Sequence, residues 1–111
     1  MIRKIAVHRV WDALSKKKYA MQVVEIDSET HLVKRIYPLT EEIGNTEWWG
    51  GLMIISPTEP SLPEPEERLD SYFGRIGVSG RRTQVKMHAF HITGLNITDR
   101  RFAPVSRIAR V

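Results

Sequence analysis

The sequence predicts a β-dominated fold, all-β or α+β: a small single-domain barrel or sandwich of roughly five to six mostly antiparallel strands and one short helix. Two observations lead to this expectation. Short runs of alternating apolar and polar residues recur along the chain and are mostly joined by short, turn-forming links. One stretch, near residues 64–73, has helical spacing instead. A chain of 111 residues fits one domain, residues 1–111, with one modest core.

The first three predicted strands form a meander. Residues 2–11 alternate in polarity, residues 19–27 are rich in β-forming side chains, and residues 31–39 follow after a turn of polar residues. Because the link between the second and third strands is so short, these two strands should be antiparallel. Pro38 cannot donate a ladder hydrogen bond, so the end of the third strand is expected at a sheet edge or outside the sheet.

The segment "EWWGGLMII" leads into the centre of the predicted sheet. Residues 40–47 before it are polar and carry a Gly-Asn turn signal, which indicates a loop. The run from Leu52 is apolar on both faces, which is typical of a central, covered strand. Trp48 and Trp49 should face opposite ways in extended chain, with one indole capping the core and the other exposed. Gly50 and Gly51 allow the backbone to bend or bulge before the strand begins.

A proline- and glutamate-rich segment, residues 56–67, follows the central strand. It contains too many prolines to pair into a sheet, and we expect it to be extended or mobile.

The predicted helix spans about ten residues near 64–73. Leu69, Tyr72 and Phe73 have i, i+3, i+4 spacing, so they should lie on one face and pack on the sheet. Acidic residues crowd the beginning of this stretch, and Gly74 suits its exit.

Two further strands are predicted near the C-terminus. Residues 83–92 alternate in polarity, a turn follows at Gly94–Asn96, and a last strand from Arg101 is interrupted by Pro104.

Charge is distributed unevenly along the chain. Residues 41–70 have a balance of −7 and residues 71–111 a balance of +7, within a net charge of +4. Such asymmetry indicates either a polyanionic partner or an acidic middle that folds against a basic end.

No catalytic or metal-binding pattern fits the sequence. There is no cysteine, and His88 and His91 would point to opposite faces of a strand rather than to one metal ion. Ser79 lacks the glycine spacing and the following helix of a nucleophile elbow. We therefore expect no enzymatic activity, no cofactor and no metal.

No apolar run is long enough to span a membrane, and Lys4, His8 and Arg9 interrupt the apolar core that a secretion signal needs. A soluble, cytoplasmic protein is expected.

Two binding functions remain open. The first is a protein-interaction or self-assembly module that uses a strand edge near Pro38 or Pro104 and an aromatic anchor, since tryptophan and arginine are favoured at such interfaces. The alternative is a nucleic-acid-binding module that uses the C-terminal arginines, whose guanidinium groups suit phosphates. The candidate partner-binding residues are Trp48, Trp49, Arg81, Arg82, Arg100 and Arg101.

Overall fold

A computed structural model describes residues 1–40, 46–76, 86–96 and 101–111 of the chain. Within those ranges it has seven strands and one helix, in the order β1 (Ile2–Asp12), β2 (Lys17–Asp27), β3 (Val33–Pro38), β4 (Thr46–Trp48), β5 (Leu52–Ser56), α1 (Leu69–Ile76), β6 (His88–Asn96) and β7 (Arg101–Arg110). The predicted β-dominated class is confirmed.

All the described strands belong to one sheet, which is therefore not a two-layer sandwich. The strand order is β3-β2-β1-β5-β6-β7, and β4 pairs with β1 beside this path. Four neighbouring pairs are antiparallel, while β4 and β5 both run parallel to β1. The predicted mostly antiparallel pairing is thus confirmed. Pro38 ends the edge strand β3, where its missing N–H costs no ladder bond.

The sheet curls until β3 approaches the start of β6. Leu32 and His88 form an isolated bridge, and the N–H of Val33 donates to the Met87 carbonyl at 2.8 Å. The concave side encloses an inner core, whose buried members are Ile5, Val7, Val10, Val24, Ile26, Met53, Ile55, Met87, Ala89 and Val111. The fold is thus a curled sheet that resembles a barrel at one end.

A second core lies on the outer side of the sheet, beneath α1. Leu69, Tyr72, Phe73 and Ile76 are the buried face of the helix, as the helical spacing requires. The ring of Phe73 stacks on Trp11 with centroids 4.7 Å apart and planes 3° from parallel. β5 therefore has apolar cover on both sides, and all five of its residues are buried. Its predicted central position is confirmed.

The helix predicted near residues 64–73 is present, but it spans Leu69–Ile76. It begins later because the chain before it pairs with β7. The N–H of Glu66 donates to the carbonyl of Phe102, and the N–H of Phe102 donates to the backbone carbonyl of Glu67. Gly74 lies inside the helix rather than at its exit.

The proline- and glutamate-rich segment has no helix or strand between residues 57 and 67. It is held at its middle, where the Tyr72 hydroxyl donates to the Ser61 carbonyl at 2.9 Å and Arg75 donates to the Leu62 carbonyl at 3.1 Å. Its mobility stays a prediction.

None of the helical segments in the described ranges has the length and apolar character needed to cross a bilayer.

Candidate functional site

The two tryptophans lie at a bulge that interrupts the strand beside β1. Trp48 in β4 pairs with Ala6, and Leu52 in β5 pairs with Arg9. Three residues, 49–51, therefore face only two residues of β1. One extra residue in a strand is the definition of a β-bulge, a feature that re-aims side chains.

Both glycines of the bulge are required by its geometry. Gly50 has φ +63° and Gly51 has φ +68°, a left-handed backbone that strongly favours glycine. A Cβ atom at Gly50 would lie 3.2 Å from the imidazole of His8, and one at Gly51 would lie 3.3 Å from Nε2 of His91. A side chain at either position would thus meet a histidine ring.

The same two histidines satisfy the backbone groups that the bulge leaves unpaired. The N–H of Gly51 donates to Nδ1 of His8 at 3.0 Å. Nε2 of His91 lies 3.2 Å from the carbonyl oxygen of Gly50, and because a carbonyl only accepts, this nitrogen must carry the proton. The geometry thus assigns an unprotonated Nδ1 to His8 and an Nε2–H donor to His91.

The indoles of Trp48 and Trp49 lie on opposite sides of the sheet, as consecutive residues of extended chain do. Trp49 packs against the inner core, with its ring 5.2 Å from that of His91 in an edge-to-face arrangement. Trp48 is 52% exposed and contacts the His8 ring edge to face at 4.9 Å. Trp48 is therefore the indole available to a partner.

Trp49 is further fixed by an ion pair at the rim of the inner core. Arg3 donates twice to the Glu47 carboxylate, both at 3.0 Å, and Nε1 of Trp49 donates to the same carboxylate at 3.3 Å. The guanidinium carbon of Arg3 also lies 5.4 Å from the Trp49 ring centroid. The hydrogen bonds from Arg3 lower the pKa of Glu47, so the carboxylate stays ionised and holds the indole.

The predicted arginines are only partly within the described residues. Arg81, Arg82 and Arg100 lie outside them. Arg101 is exposed at the start of β7, where it forms an isolated bridge with Arg68, which is also exposed. Neither of these two arginines has a salt bridge within the described ranges.

Sequence reasoning missed His8 and His91 as members of the site. The sequence predicted only that His88 and His91 face opposite sides of a strand, and in the structure they have separate partners: Nδ1 of His88 lies 3.1 Å from the His31 carbonyl, while Nε2 of His91 lies 3.2 Å from the Gly50 carbonyl. Across the described parts of the chain, no group of three or more metal-binding side chains comes together. The pair of glycines indicates a bend or a close neighbour at this point, but it does not identify His8 as that neighbour.

No protein-family model, curated protein or solved structure matches this chain. At the bulge, the half-exposed indole of Trp48 lies beside backbone groups that His8 of β1 and His91 of β6 contact through hydrogen bonds.

Proposed function

We propose that the protein is a non-catalytic interaction module that binds a protein partner, or a second copy of itself, through Trp48. The observation that carries this proposal is the half-exposed indole of Trp48, which lies at a bulge formed by two left-handed glycines and hydrogen-bonded by His8. A cytoplasmic location is part of the proposal and can be tested by cell fractionation.

The edge-to-face contact of Trp48 with His8 is what makes this indole suitable as an anchor. Tryptophan is enriched among residues that dominate binding energy, and a side chain already fixed in the free protein loses little entropy on binding. A tryptophan side chain offers up to about 250 Å². Burying the exposed half at ~25 cal/mol per Å² would contribute roughly 3 kcal/mol.

Self-association is the directly testable form of the proposal. Sedimentation velocity of the purified chain at low and high micromolar concentration should show a concentration-dependent increase in mass, and Trp48→Ser should abolish it. Leu62→Ser is the matched control, because Leu62 is also exposed, at 49%, but lies in the proline- and glutamate-rich segment. A chain that stays monomeric at all concentrations refutes self-assembly.

Binding to a different protein is tested by photo-crosslinking in cells. A benzoylphenylalanine at position 48 should give a discrete crosslinked product that the same probe at position 62 does not give. Identical or absent products at both positions, together with a monomeric chain, would contradict the interaction proposal as a whole.

The second candidate is nucleic-acid binding, which the pairing of Arg68 with Arg101 favours. Two exposed arginines without salt bridges within the described chain lie side by side, where they could hold neighbouring phosphates. Affinity for a random oligonucleotide should fall steeply with added salt, and Arg101→Gln should weaken binding and reduce the salt slope by about one unit. Undetectable binding at low salt rules out this candidate.

A further inference from the structure

β7 lies at one end of the strand order, so β6 pairs with only one of its two edges. On the other edge, the chain itself adds a short segment at the start of β7. The N–H of Phe102 donates to the Glu67 carbonyl there, and the Phe102 carbonyl accepts the N–H of Glu66. Beyond Phe102, no strand in the described ranges pairs with this second edge.

The hydrogen-bond pattern shows which backbone groups of β7 point to the second edge. The N–H of Val111 donates to the Ala89 carbonyl of β6 at 2.9 Å, and Ala109 has the same orientation two residues earlier. Because hydrogen-bonded pairs alternate along an antiparallel ladder, Ile108 and Arg110 point away from β6. Their N–H and carbonyl groups have no hydrogen-bond partner among the residues that the structure describes.

Two exposed arginines flank these backbone groups, one on each face of the sheet. Arg110 shares a face with Ile108, which packs against the core beneath α1, whereas Arg107 faces the opposite side. Neither arginine forms a salt bridge with a described residue.

The sign of this charge selects what can pair with the edge. A second copy of the chain on the same edge would bring the arginines of both copies close together, and like charges between neighbouring strands are destabilising. An acidic strand would instead place carboxylates beside guanidinium groups, a favourable charge-assisted contact.

We propose that β7 binds an extended acidic polypeptide as an added strand, at residues 107–110 of the edge that β6 does not occupy. The backbone of that polypeptide pairs with Ile108 and Arg110, and its acidic side chains contact Arg107 and Arg110. Because these two arginines face opposite sides, the acidic residues that meet them are three positions apart in the added strand. This surface is separate from Trp48 and adds a second binding site to the one proposed above.

The test uses the full chain and a short fluorescein-labelled peptide with a Glu-Val-Val repeat as the probe. Fluorescence anisotropy should show saturable binding that weakens with added salt. A Glu-Pro-Pro peptide of the same length and charge should bind at least about tenfold more weakly, because proline lacks the N–H that a ladder requires.

Amide hydrogen exchange in the unaltered protein locates the added strand. At saturation, the Glu-Val-Val peptide should slow exchange of the Ile108 and Arg110 amides by about tenfold or more, since these N–H groups acquire acceptors. The N–H of Ala109 already points to β6, so its exchange should change much less.

Substitution of the two arginines tests the contribution of charge. Arg107→Gln/Arg110→Gln should raise the peptide Kd by about fivefold or more, since each exposed ion pair makes a modest contribution. Lys16→Gln/Lys17→Gln is the matched control, because it also removes two exposed charges but lies at the start of β2, which does not neighbour β7. The control should change the Kd by less than about twofold.

The proposal is wrong if the Glu-Val-Val peptide does not bind, or if the Glu-Pro-Pro peptide binds equally well. Unchanged exchange at Ile108 and Arg110, or equal effects of the two double variants, would also overturn it. A single-stranded oligonucleotide that binds where the peptide does not would overturn it too, and would favour the nucleic-acid candidate instead.

Discussion

Replacing Gly50 by alanine tests the bulge directly. The residue has φ +63°, and forcing an L-residue into this region costs about 1 kcal/mol or slightly more. The new methyl group would also lie 3.2 Å from Cε1 and Nδ1 of His8, closer than ordinary contact. Moving the ring away weakens the 3.0 Å hydrogen bond from Gly51, which contributes a further ~1 kcal/mol. We expect Gly50→Ala to lower the free energy of unfolding by about 2–3 kcal/mol.

Urea unfolding followed by tryptophan fluorescence measures this change. Gly74→Ala is the matched control, because Gly74 lies in α1 and, apart from its chain neighbours and the helix backbone, no heavy atom of a described residue lies within 4 Å of the new Cβ. That variant should be stabilised by about 0.5–1 kcal/mol, since alanine loses less entropy in a helix than glycine does. A Gly50→Ala protein within about 0.5 kcal/mol of the parent would refute the account of the bulge.

Three further predictions concern hydrogen bonds of the described residues. His8→Ala removes the nitrogen that accepts the Gly51 N–H and the ring that contacts Trp48, and should lower the free energy of unfolding by about 1–2 kcal/mol. His8→Asn should recover part of this loss, because its side-chain oxygen can accept the same N–H. Equal unfolding midpoints for His8→Ala and the parent would contradict this role of His8. Tyr72→Phe should lower the free energy of unfolding by about 1 kcal/mol and speed amide hydrogen exchange in the proline- and glutamate-rich segment, because the Tyr72 hydroxyl donates to the Ser61 carbonyl. Unchanged exchange would show that this hydrogen bond does not hold the segment. Hydrogen bonds from Arg35 and then Tyr37 lower the pKa of Glu25 below 4.5, so its stabilisation is present above that pH and is lost as pH falls through the lowered value. Urea midpoints should therefore fall less steeply with acidification in Glu25→Gln than in the parent, and identical slopes would refute the linkage.

The sequence allowed the central strand to be predicted because its signal is local. Leu52 to Ile55 form an apolar run with no polar face, and such a run requires cover on both sides wherever it lies. β4 gave no such signal: Thr46–Trp48 is three residues long and follows a polar stretch. It is a strand because β1 supplies its hydrogen bonds, which is a property of the tertiary structure.

The same distinction applies to the candidate site. The sequence predicts that Trp48 and Trp49 face opposite sides, because side chains alternate along an extended chain. It also predicts a bend at the two glycines, because their backbone can adopt conformations that other residues avoid. The histidine partners could not be found in this way, because His8 and His91 lie 43 and 41 residues from the glycines that they contact. Only the strand order brings β1 and β6 to either side of the bulge.

The extra residue of the bulge compensates for an irregularity in β1, where the side of the sheet that alternate residues face is switched. Val7 and Val10 both belong to the inner core, although residues three apart in a regular strand face opposite sides. The two residues between them, His8 and Arg9, therefore both lie outside that core. The bulge in the neighbouring strand lets Met53 stay paired with Val10 inside the core after this change. One consequence is that His8 lies against Trp48 while Arg9 lines a concavity beside Phe73. A substitution that straightens the bulge should therefore disturb the packing of Trp48 and that of Arg9 together, whereas Trp48→Ser should disturb the first alone.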